Sequence, residues 1–217
     1  AKHEGNLAIE GLGELPAESA AALASYPGPR LSLSGPAVER LSPEAAAALA
    51  KSSAILHIPL RHLGSKPLAE RFVQQSGSST LYNLETVSRE AAPALTQYSS
   101  FFDLRALKVL DSPEMARRFV EGVTTASSIT LPALSTLSPE AAEVLGAGSK
   151  SMHLGLTELD SPAVARALSK SRQGVNLSRL RAATPEVIQI LKEAKSIQTP
   201  PLESVYVLPQ VSDPERR

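Results

Sequence analysis

The chain has 217 residues, of which 42% are hydrophobic and 4% aromatic, so we expect a core of Leu, Ile, Val and Ala rather than of large rings. Twenty-two basic residues balance 22 acidic ones, which argues against long-range attraction to nucleic acid or to an anionic membrane. The absence of cysteine excludes disulfides, thiolate metal sites and a cysteine nucleophile. No apolar run approaches membrane-spanning length, and we expect no membrane insertion.

A short apolar motif returns about every two dozen residues along the whole chain. Its central slot falls at Ile9, Leu33, Ile58, Leu81, Leu104, Leu131, Leu154, Leu177 and Thr199. The spacings between successive slots run from 22 to 27 residues, a period that is typical of a solenoid. We therefore predict a single repeat domain over residues 1–217, with eight strand–helix repeats over 6–196 and a truncated ninth repeat with a C-terminal cap over 197–217.

Each repeat is predicted to contain a short strand and then a helix. The first half alternates apolar and polar residues, as in Leu31-Ser32-Leu33, so that one face is buried and the other is solvated. The second half opens on a hydroxyl residue, a proline and a glutamate, at Ser42-Pro43-Glu44, Ser112-Pro113-Glu114, Ser138-Pro139-Glu140 and Thr184-Pro185-Glu186. The hydroxyl accepts from free backbone amides, the proline presets φ, and the glutamate faces the positive end of the helix dipole.

Three repeats depart from this pattern. In the third, Ser65 is predicted to cap the helix and Phe72 takes the place of the usual leucine. In the fourth, Arg89 replaces the proline that opens the helix, and Pro93 stands early in the helix. In the truncated ninth, a last strand near Ile197–Thr199 has no helix after it. Residues 206–208 are then expected to cover the end of the core, because terminal repeats of a solenoid must shield it from water.

The stretch Ile129-Thr-Leu-Pro-Ala-Leu-Ser-Thr-Leu137, with the small-residue helices, resembles the leucine-rich repeat family over about residues 6 to 208. The motif looks most like the bacterial BspA-like subclass and the helices are similar to the ribonuclease-inhibitor-like subclass, and both assignments stay open. The resemblance implies a right-handed α/β solenoid with short parallel strands on the concave side and short helices on the convex side. The chain departs from the family in having leucine at the usual asparagine position, at Leu12, Leu84, Leu107, Leu134 and Leu180.

The polar residues give no pattern typical of catalysis. The chain has four histidines, and His57 and His62 could approach each other without an adjacent carboxylate, which favours a surface or turn role over a metal site. The recurrent Ser-Pro-Glu is explained as a helix start. The basic residues Arg166, Lys170, Arg172, Arg179 and Arg181 are interpreted as a solvated edge, since no aromatic residues are interleaved with them. We expect no enzyme activity, no cofactor, no metal and no nucleic-acid partner.

The outward strand positions supply the candidate binding residues. In the predicted alignment, Thr80 and Tyr82 of the fourth repeat lie beside Asp103 and Arg105 of the fifth, and His57 takes an outward slot in the third. Tyr and Arg offer large contact areas and charge-assisted hydrogen bonds, which suit a peptide or protein partner. An internal Asp–Arg pair covered by the Tyr is the alternative interpretation.

These observations lead to two hypotheses about function. The first is a noncatalytic recognition module or scaffold that binds a protein or peptide on its concave face, as the family resemblance implies. The alternative is a structural or regulatory repeat segment of a larger multidomain enzyme. The chain opens without methionine and like the tail of a preceding repeat, so it is also a candidate for part of a longer chain. The compartment is unknown, and only the resemblance favours a cell-surface or extracellular location.

Overall fold

The protein is a mixed α/β structure with short parallel strands, as seen in a computed structural model. The structure describes residues 5–75, 81–97, 104–122 and 128–209. The chain divides into two compact units, Ala1–Met115 (unit 1) and Ala116–Arg217 (unit 2), which are described separately below. The prediction of α/β architecture with short parallel strands is confirmed.

The strands are short and the helices span one to three turns. The strands are Leu7–Ile9 (β1), Arg30–Leu33 (β2), Ile55–His57 (β3), His62–Leu63 (β4), Thr86–Val87 (β5), Val109–Leu110 (β6), Ser128–Leu131 (β7), Thr136–Leu137 (β8), Ser151–Leu154 (β9), Glu158–Leu159 (β10), Val175–Asn176 (β11), Ala182–Ala183 (β12), Ile197–Gln198 (β13) and Tyr206–Val207 (β14). The helices are Ala17–Ala24 (α1), Pro36–Glu39 (α2), Pro43–Leu49 (α3), Lys66–Gln74 (α4), Ala92–Leu95 (α5), Pro113–Glu121 (α6), Pro139–Ala147 (α7), Pro162–Ser169 (α8) and Pro185–Glu193 (α9).

Strands pair with their equivalents in the next repeat. In unit 1, β1, β2 and β3 form one parallel sheet, with Leu7 opposite Leu31 and Leu31 opposite Leu56. In unit 2, the equivalent sheet has the order β13-β11-β9-β7, with Met152 opposite both Ile129 and Val175. We call these sheets the first-strand ladders. In both ladders, residues at the same position of successive sequence repeats lie opposite one another.

A second strand follows the first in several repeats, immediately before the helix. In unit 1, β4 pairs with β5, and in unit 2 the order is β10-β12-β14, all parallel. We call these sheets the second-strand ladders. The sequence analysis predicted one strand per repeat and did not predict these. Two-residue strands are too short to show an alternation of apolar and polar residues.

The predicted strand positions are wrong in the fourth and fifth repeats. Leu81 lies in a 3-10 turn and Leu104 in an irregular segment, although both side chains are buried as expected. The strands that the structure describes there, β5 and β6, begin five residues after those leucines. Buried leucines on a tight turn and on a strand give the same apolar signal, because burial does not depend on which backbone conformation presents the side chain.

The predicted helix starts are confirmed by their hydrogen bonds. The side chains of Ser42, Ser65 and Thr184 each accept from the backbone N–H three residues later, at 3.2 to 3.4 Å. Proline then occupies the first or second position of these helices. The Ser-Pro-Glu motif therefore has a complete structural explanation as an N-cap.

Small residues let neighbouring helices approach closely. A Cβ atom added to Gly146 in α7 would collide with the backbone carbonyl oxygen of Ala167 in α8. Ala142 and Ala165 on the facing turns have no exposed surface. Leucines such as Leu145 and Leu168 on the same helices are buried beneath them, and the core is consequently Leu- and Ala-rich, as the composition predicts.

Long polar side chains fasten one repeat to the next. Arg71 of α4 donates to the three carbonyl oxygens of residues 52–54, at 2.8 to 3.1 Å, where the chain leaves the preceding helix. Lys150 in unit 2 likewise donates to the carbonyl oxygens of Phe119 and Gly122. The carbonyl group of Phe119 belongs to the last turn of α6, where such groups lack intrahelical partners, whereas residues 52–54 lie in the segment that follows α3.

The C-terminal repeat carries the predicted last strand, since β13 spans Ile197–Gln198. The next segment forms the 3-10 turn Leu202–Ser204 and then β14. In β14, Tyr206 and Val207 pair with Ala182 and Ala183, yet their side chains are 67% and 52% exposed. Val205 is the buried residue of this segment. The capping role of residues 197–217 stays a prediction.

Candidate functional site

The predicted partner-binding residues are only partly within the described structure. Thr80 and Asp103 lie outside the described residues, so their contact with the other two candidates stays a prediction. Tyr82 is 53% exposed, and the side chain of Arg105 is exposed as well. His57 ends β3 with an exposed side chain, opposite Ser32 of β2.

Unit 2 presents a row of polar side chains on its first-strand ladder. Thr130 lies opposite His153, His153 opposite Asn176, and Asn176 opposite Gln198. The amide of Asn176 donates to Oε1 of Gln198 at 3.3 Å. Since parallel strands lie about 4.8 Å apart, this polar row is about 14 Å long. It is a surface of four aligned side chains on a regular backbone.

An open groove of about 470 Å³ lies beside the polar row in unit 2. The turns between first and second strands of three successive repeats line it, through residues 132–135, 155, 157 and 178–181. We call it the arginine groove, because Arg179 and Arg181 are its charged lining residues and none of the described residues that line it is acidic. Asn176 connects the two features, since its Oδ1 accepts from the backbone N–H of Ser178.

Two local contacts shape the arginine groove. A Cβ atom on Gly155 would collide with the carbonyl oxygen of Pro132, and the Gly155 N–H donates to the carbonyl oxygen of Leu131 at 2.9 Å. Glycine therefore permits the close approach of two turns. Nη1 of Arg179 donates to the same carbonyl oxygen of Pro132 at 2.7 Å, which holds the guanidinium against the neighbouring turns.

Four of the five basic residues that the sequence places together fall into two sets, and the fifth, Arg172, is exposed and belongs to neither. Arg166 lies on α8 and Lys170 is the residue directly after it, and they form ion pairs with Glu186 at 2.5 Å and Glu143 at 2.9 Å. Arg179 lies on the groove instead, as does Arg181. The prediction of a solvated edge fits Arg166 and Lys170, because each of these cations pairs with an exposed carboxylate. Arg179 and Arg181 are exposed as well, and they line the groove.

Unit 1 carries a line of alternating charges along its second strands. Nε of Arg61 lies 3.1 Å from Glu39 and its Nη1 lies 3.3 Å from Glu85, while Nζ of Lys108 lies 2.8 Å from Glu85. The order across four successive repeats is therefore Glu39, Arg61, Glu85, Lys108. Exposed ion pairs contribute about 0–1 kcal/mol each, so this line specifies register more than it stabilises the fold.

His62 lies beside this charged line on β4. Its Nε2 is 2.8 Å from Nη2 of Arg40, and its Nδ1 is 2.6 Å from Oγ1 of Thr86. Burial and the nearby Arg40 charge lower the pKa of His62 below its ordinary value. The hydrogen bond from Lys108 lowers the pKa of the Glu85 carboxyl. The histidine therefore has a structural partner on each side, and it does not join His57 in a site.

The described ranges contain no group of three or more His, Cys, Asp or Glu residues that could hold a metal ion. Within the same ranges, no helix has both the length and the apolar character needed to cross a membrane. The carboxylate of Glu114 accepts from the cap hydroxyl of Ser112 at 2.7 Å, and Glu186 pairs with Arg166. These helix-start glutamates have structural partners.

Searches with protein-family models and against curated proteins find no match for this chain.

Sequence reasoning did not single out the polar row, the arginine groove or the charged line. The polar row could have been predicted from the sequence, because aligning the repeats puts Thr130, His153 and Asn176 at the same outward position. The charged line also has a signal, since Arg61, Glu85 and Lys108 all stand two residues before a buried apolar residue that precedes the helix. The groove has no such signal, because it depends on how turns of three repeats approach one another.

Proposed function

We propose that the chain is a right-handed leucine-rich-repeat-like solenoid that acts as a noncatalytic recognition module, binding a protein or peptide on its strand side. The parallel ladders within each unit support the repeat architecture, because equivalent residues of successive repeats lie opposite one another. Repeats of this kind offer extended surfaces rather than enclosed sites.

The polar row carries the proposal. Its four side chains come from four successive strands and lie at the same register position, next to buried residues such as Met152 and Leu154 that fix the backbone. Thr, His, Asn and Gln together provide both donors and acceptors. A surface that combines a rigid backbone with adaptable hydrogen-bonding groups suits a partner that lies across several repeats.

The shape of the adjoining groove also favours a macromolecular partner. The arginine groove is an open surface feature lined by turns, whereas small-molecule sites bury most of the ligand among apolar and aromatic side chains. In the described part of the chain, no aromatic residue lines it. A chain segment that contacts the groove and the polar row together would bury more surface than a small ligand could.

A site-specific photocrosslinking experiment tests the face. A photoreactive amino acid is placed at His153, on the polar row, or at the exposed Gln189 of α9 as the matched control on the helix side. In extracts of the source cells, the probe at 153 is expected to capture a defined partner that is absent from the probe at 189. Equal capture at both positions, or capture at 189 alone, contradicts recognition by the strand side.

A further inference from the structure

We propose that the arginine groove binds the carboxylate groups of an acidic peptide segment. This inference rests on the proposed function and specifies the chemistry of the partner at that surface. Arg179 and Arg181 are its charged lining residues, and its lining contains no Asp or Glu among the residues that the structure describes. The Arg181 side chain is exposed and takes part in no ion pair or side-chain hydrogen bond within the described part of the chain.

Arg179 is already oriented for binding. One of its N–H groups donates to the carbonyl oxygen of Pro132, a residue 47 positions earlier in the chain and two repeats away. A guanidinium has five N–H donors in a fixed plane, so the remaining four are available to a ligand. This contact holds the guanidinium plane of Arg179 in place in the free protein. Binding of a carboxylate therefore costs less side-chain entropy than it would at a freely rotating arginine.

The dimensions of the groove fit a short extended segment. Three successive turns at the spacing of parallel strands extend over about 10 Å, which accommodates about three residues of extended chain. The hydroxyl groups of Thr157 and Ser178 lie in the same lining and can bond peptide N–H or carbonyl groups. Arg179 and Arg181 on a groove of this length can pair with a peptide segment that has two or three acidic residues.

The lining favours an acidic peptide over a nucleic acid. Single-stranded nucleic acids are bound by cationic grooves that also offer aromatic side chains for base stacking. The described lining, residues 132–135, 155, 157 and 178–181, contains no aromatic residue. Carboxylates suit arginine because a guanidinium can form two parallel hydrogen bonds with one carboxylate. Planar, paired donors therefore discriminate a carboxylate from a neutral amide of the same shape.

Fluorescence anisotropy tests this inference directly, with a fluorescein-labelled triglutamate peptide and its triglutamine counterpart as probes. The full chain is expected to bind triglutamate, with affinity that falls as salt increases, and to bind triglutamine at least tenfold more weakly. Arg181→Gln should weaken triglutamate binding about tenfold, because a charge-assisted contact is lost. Arg172→Gln removes the same charge from an exposed position between α8 and β11, outside the groove, and should leave binding unchanged.

Several results would overturn the inference. They are equal affinity for the two peptides, no binding of triglutamate up to about 1 mM, equal losses from Arg181→Gln and Arg172→Gln, and stronger displacement by a thymidine oligonucleotide than by unlabelled triglutamate. Circular dichroism of each variant confirms that the fold is kept.

Absence of triglutamate binding together with selective crosslinking at residue 153 refutes this inference alone. Triglutamate binding with equal crosslinking at 153 and 189 refutes the proposed face and leaves the groove assignment standing.

Discussion

Arg40 determines which nitrogen of the neutral His62 ring carries the proton. The guanidinium of Arg40 has only donors, so Nε2 of His62, 2.8 Å from its Nη2, must be the accepting nitrogen. The proton of the neutral ring is then on Nδ1, which donates to Oγ1 of Thr86 at 2.6 Å. One imidazole thereby joins side chains of three successive repeats, and it does so only in its neutral form.

We expect stability to fall when His62 becomes protonated. The folded-state pKa of His62 lies below its ordinary value of 6.5, so the unfolded chain takes up the proton first as pH falls. Its contribution is complete above the unfolded-state pKa and is lost as pH falls from there toward the folded-state pKa. The lowered pKa of the Glu85 carboxyl acts in the same direction, at more acidic pH below its ordinary value of 4.5.

Urea denaturation at a series of pH values between 7.5 and 5 measures this effect. His62→Gln keeps an acceptor for Arg40 but cannot be protonated, and its loss of stability over this range should be smaller than that of the wild type. Ser53→Ala, at an exposed position of the same unit, removes no titratable group and should retain the wild-type pH dependence. A pH dependence unchanged in His62→Gln would show that the contact with Arg40 does not govern the titration.

Ser42 is expected to stabilise α3 through its cap. Its hydroxyl oxygen accepts from the backbone N–H of Ala45 at 3.2 Å. Ser42→Ala should lower the free energy of unfolding by about 1 kcal/mol, while Ser42→Asp should retain most of it. Ser53→Ala, at an exposed serine after the same helix, should change stability by less than about 0.5 kcal/mol. Chemical denaturation gives all three values, and equal effects of the two alanine substitutions would contradict the cap.

Gly155 is expected to tolerate no side chain. Gly155→Ala places a methyl group against the Pro132 carbonyl and forces two turns apart, at a cost of about 1–3 kcal/mol in the free energy of unfolding. Gly64→Ala is the control, because a Cβ atom there meets nothing within 4 Å. Thermal and urea denaturation of the two variants give the comparison. Equal stability of both proteins would show that the turns at residues 132 and 155 can separate without loss.

Tyr82 and Arg105 remain the candidate binding residues of unit 1. Both side chains are exposed, so the double substitution Tyr82→Ala/Arg105→Ala should leave the fold intact while it weakens partner binding about tenfold or more. A titration of the crosslinked partner, once it is identified, measures the change. Unaltered affinity, with strong loss instead from substitutions at the helix-start residues Glu114 and Glu140, would move the binding surface to the helix side.

The sequence predicts the repeating features well because each depends on residues close in the chain. The cap at Ser65 was predicted from its own neighbours, and its hydrogen bond to the N–H of Leu68 confirms it. The burial of Leu81 was likewise predicted, but its backbone conformation was not, since turn and strand both present an apolar side chain to the core.

Contacts between distant repeats could not be predicted in the same way. The bond between Arg179 and Pro132 joins residues two repeats apart, and its formation depends on the turn geometry and on the absence of a side chain at Gly155. The sequence shows two arginines in a basic stretch and cannot separate them from Arg166, which pairs with Glu186 on the helices. The three-dimensional course of the backbone is needed to place Arg166 on the helix side and Arg179 and Arg181 in the groove.

Calorimetric titration of the identified partner against polar-row variants tests the central claim most directly. The double variant His153→Ala/Asn176→Ala removes the middle of the polar row, and Gln189→Ala removes an exposed polar side chain of α9 as the control. We predict that the double variant binds the partner about tenfold or more weakly than the wild type does, while Gln189→Ala binds with unchanged affinity. Wild-type affinity in the double variant, with both proteins folded, would contradict recognition by the strand side.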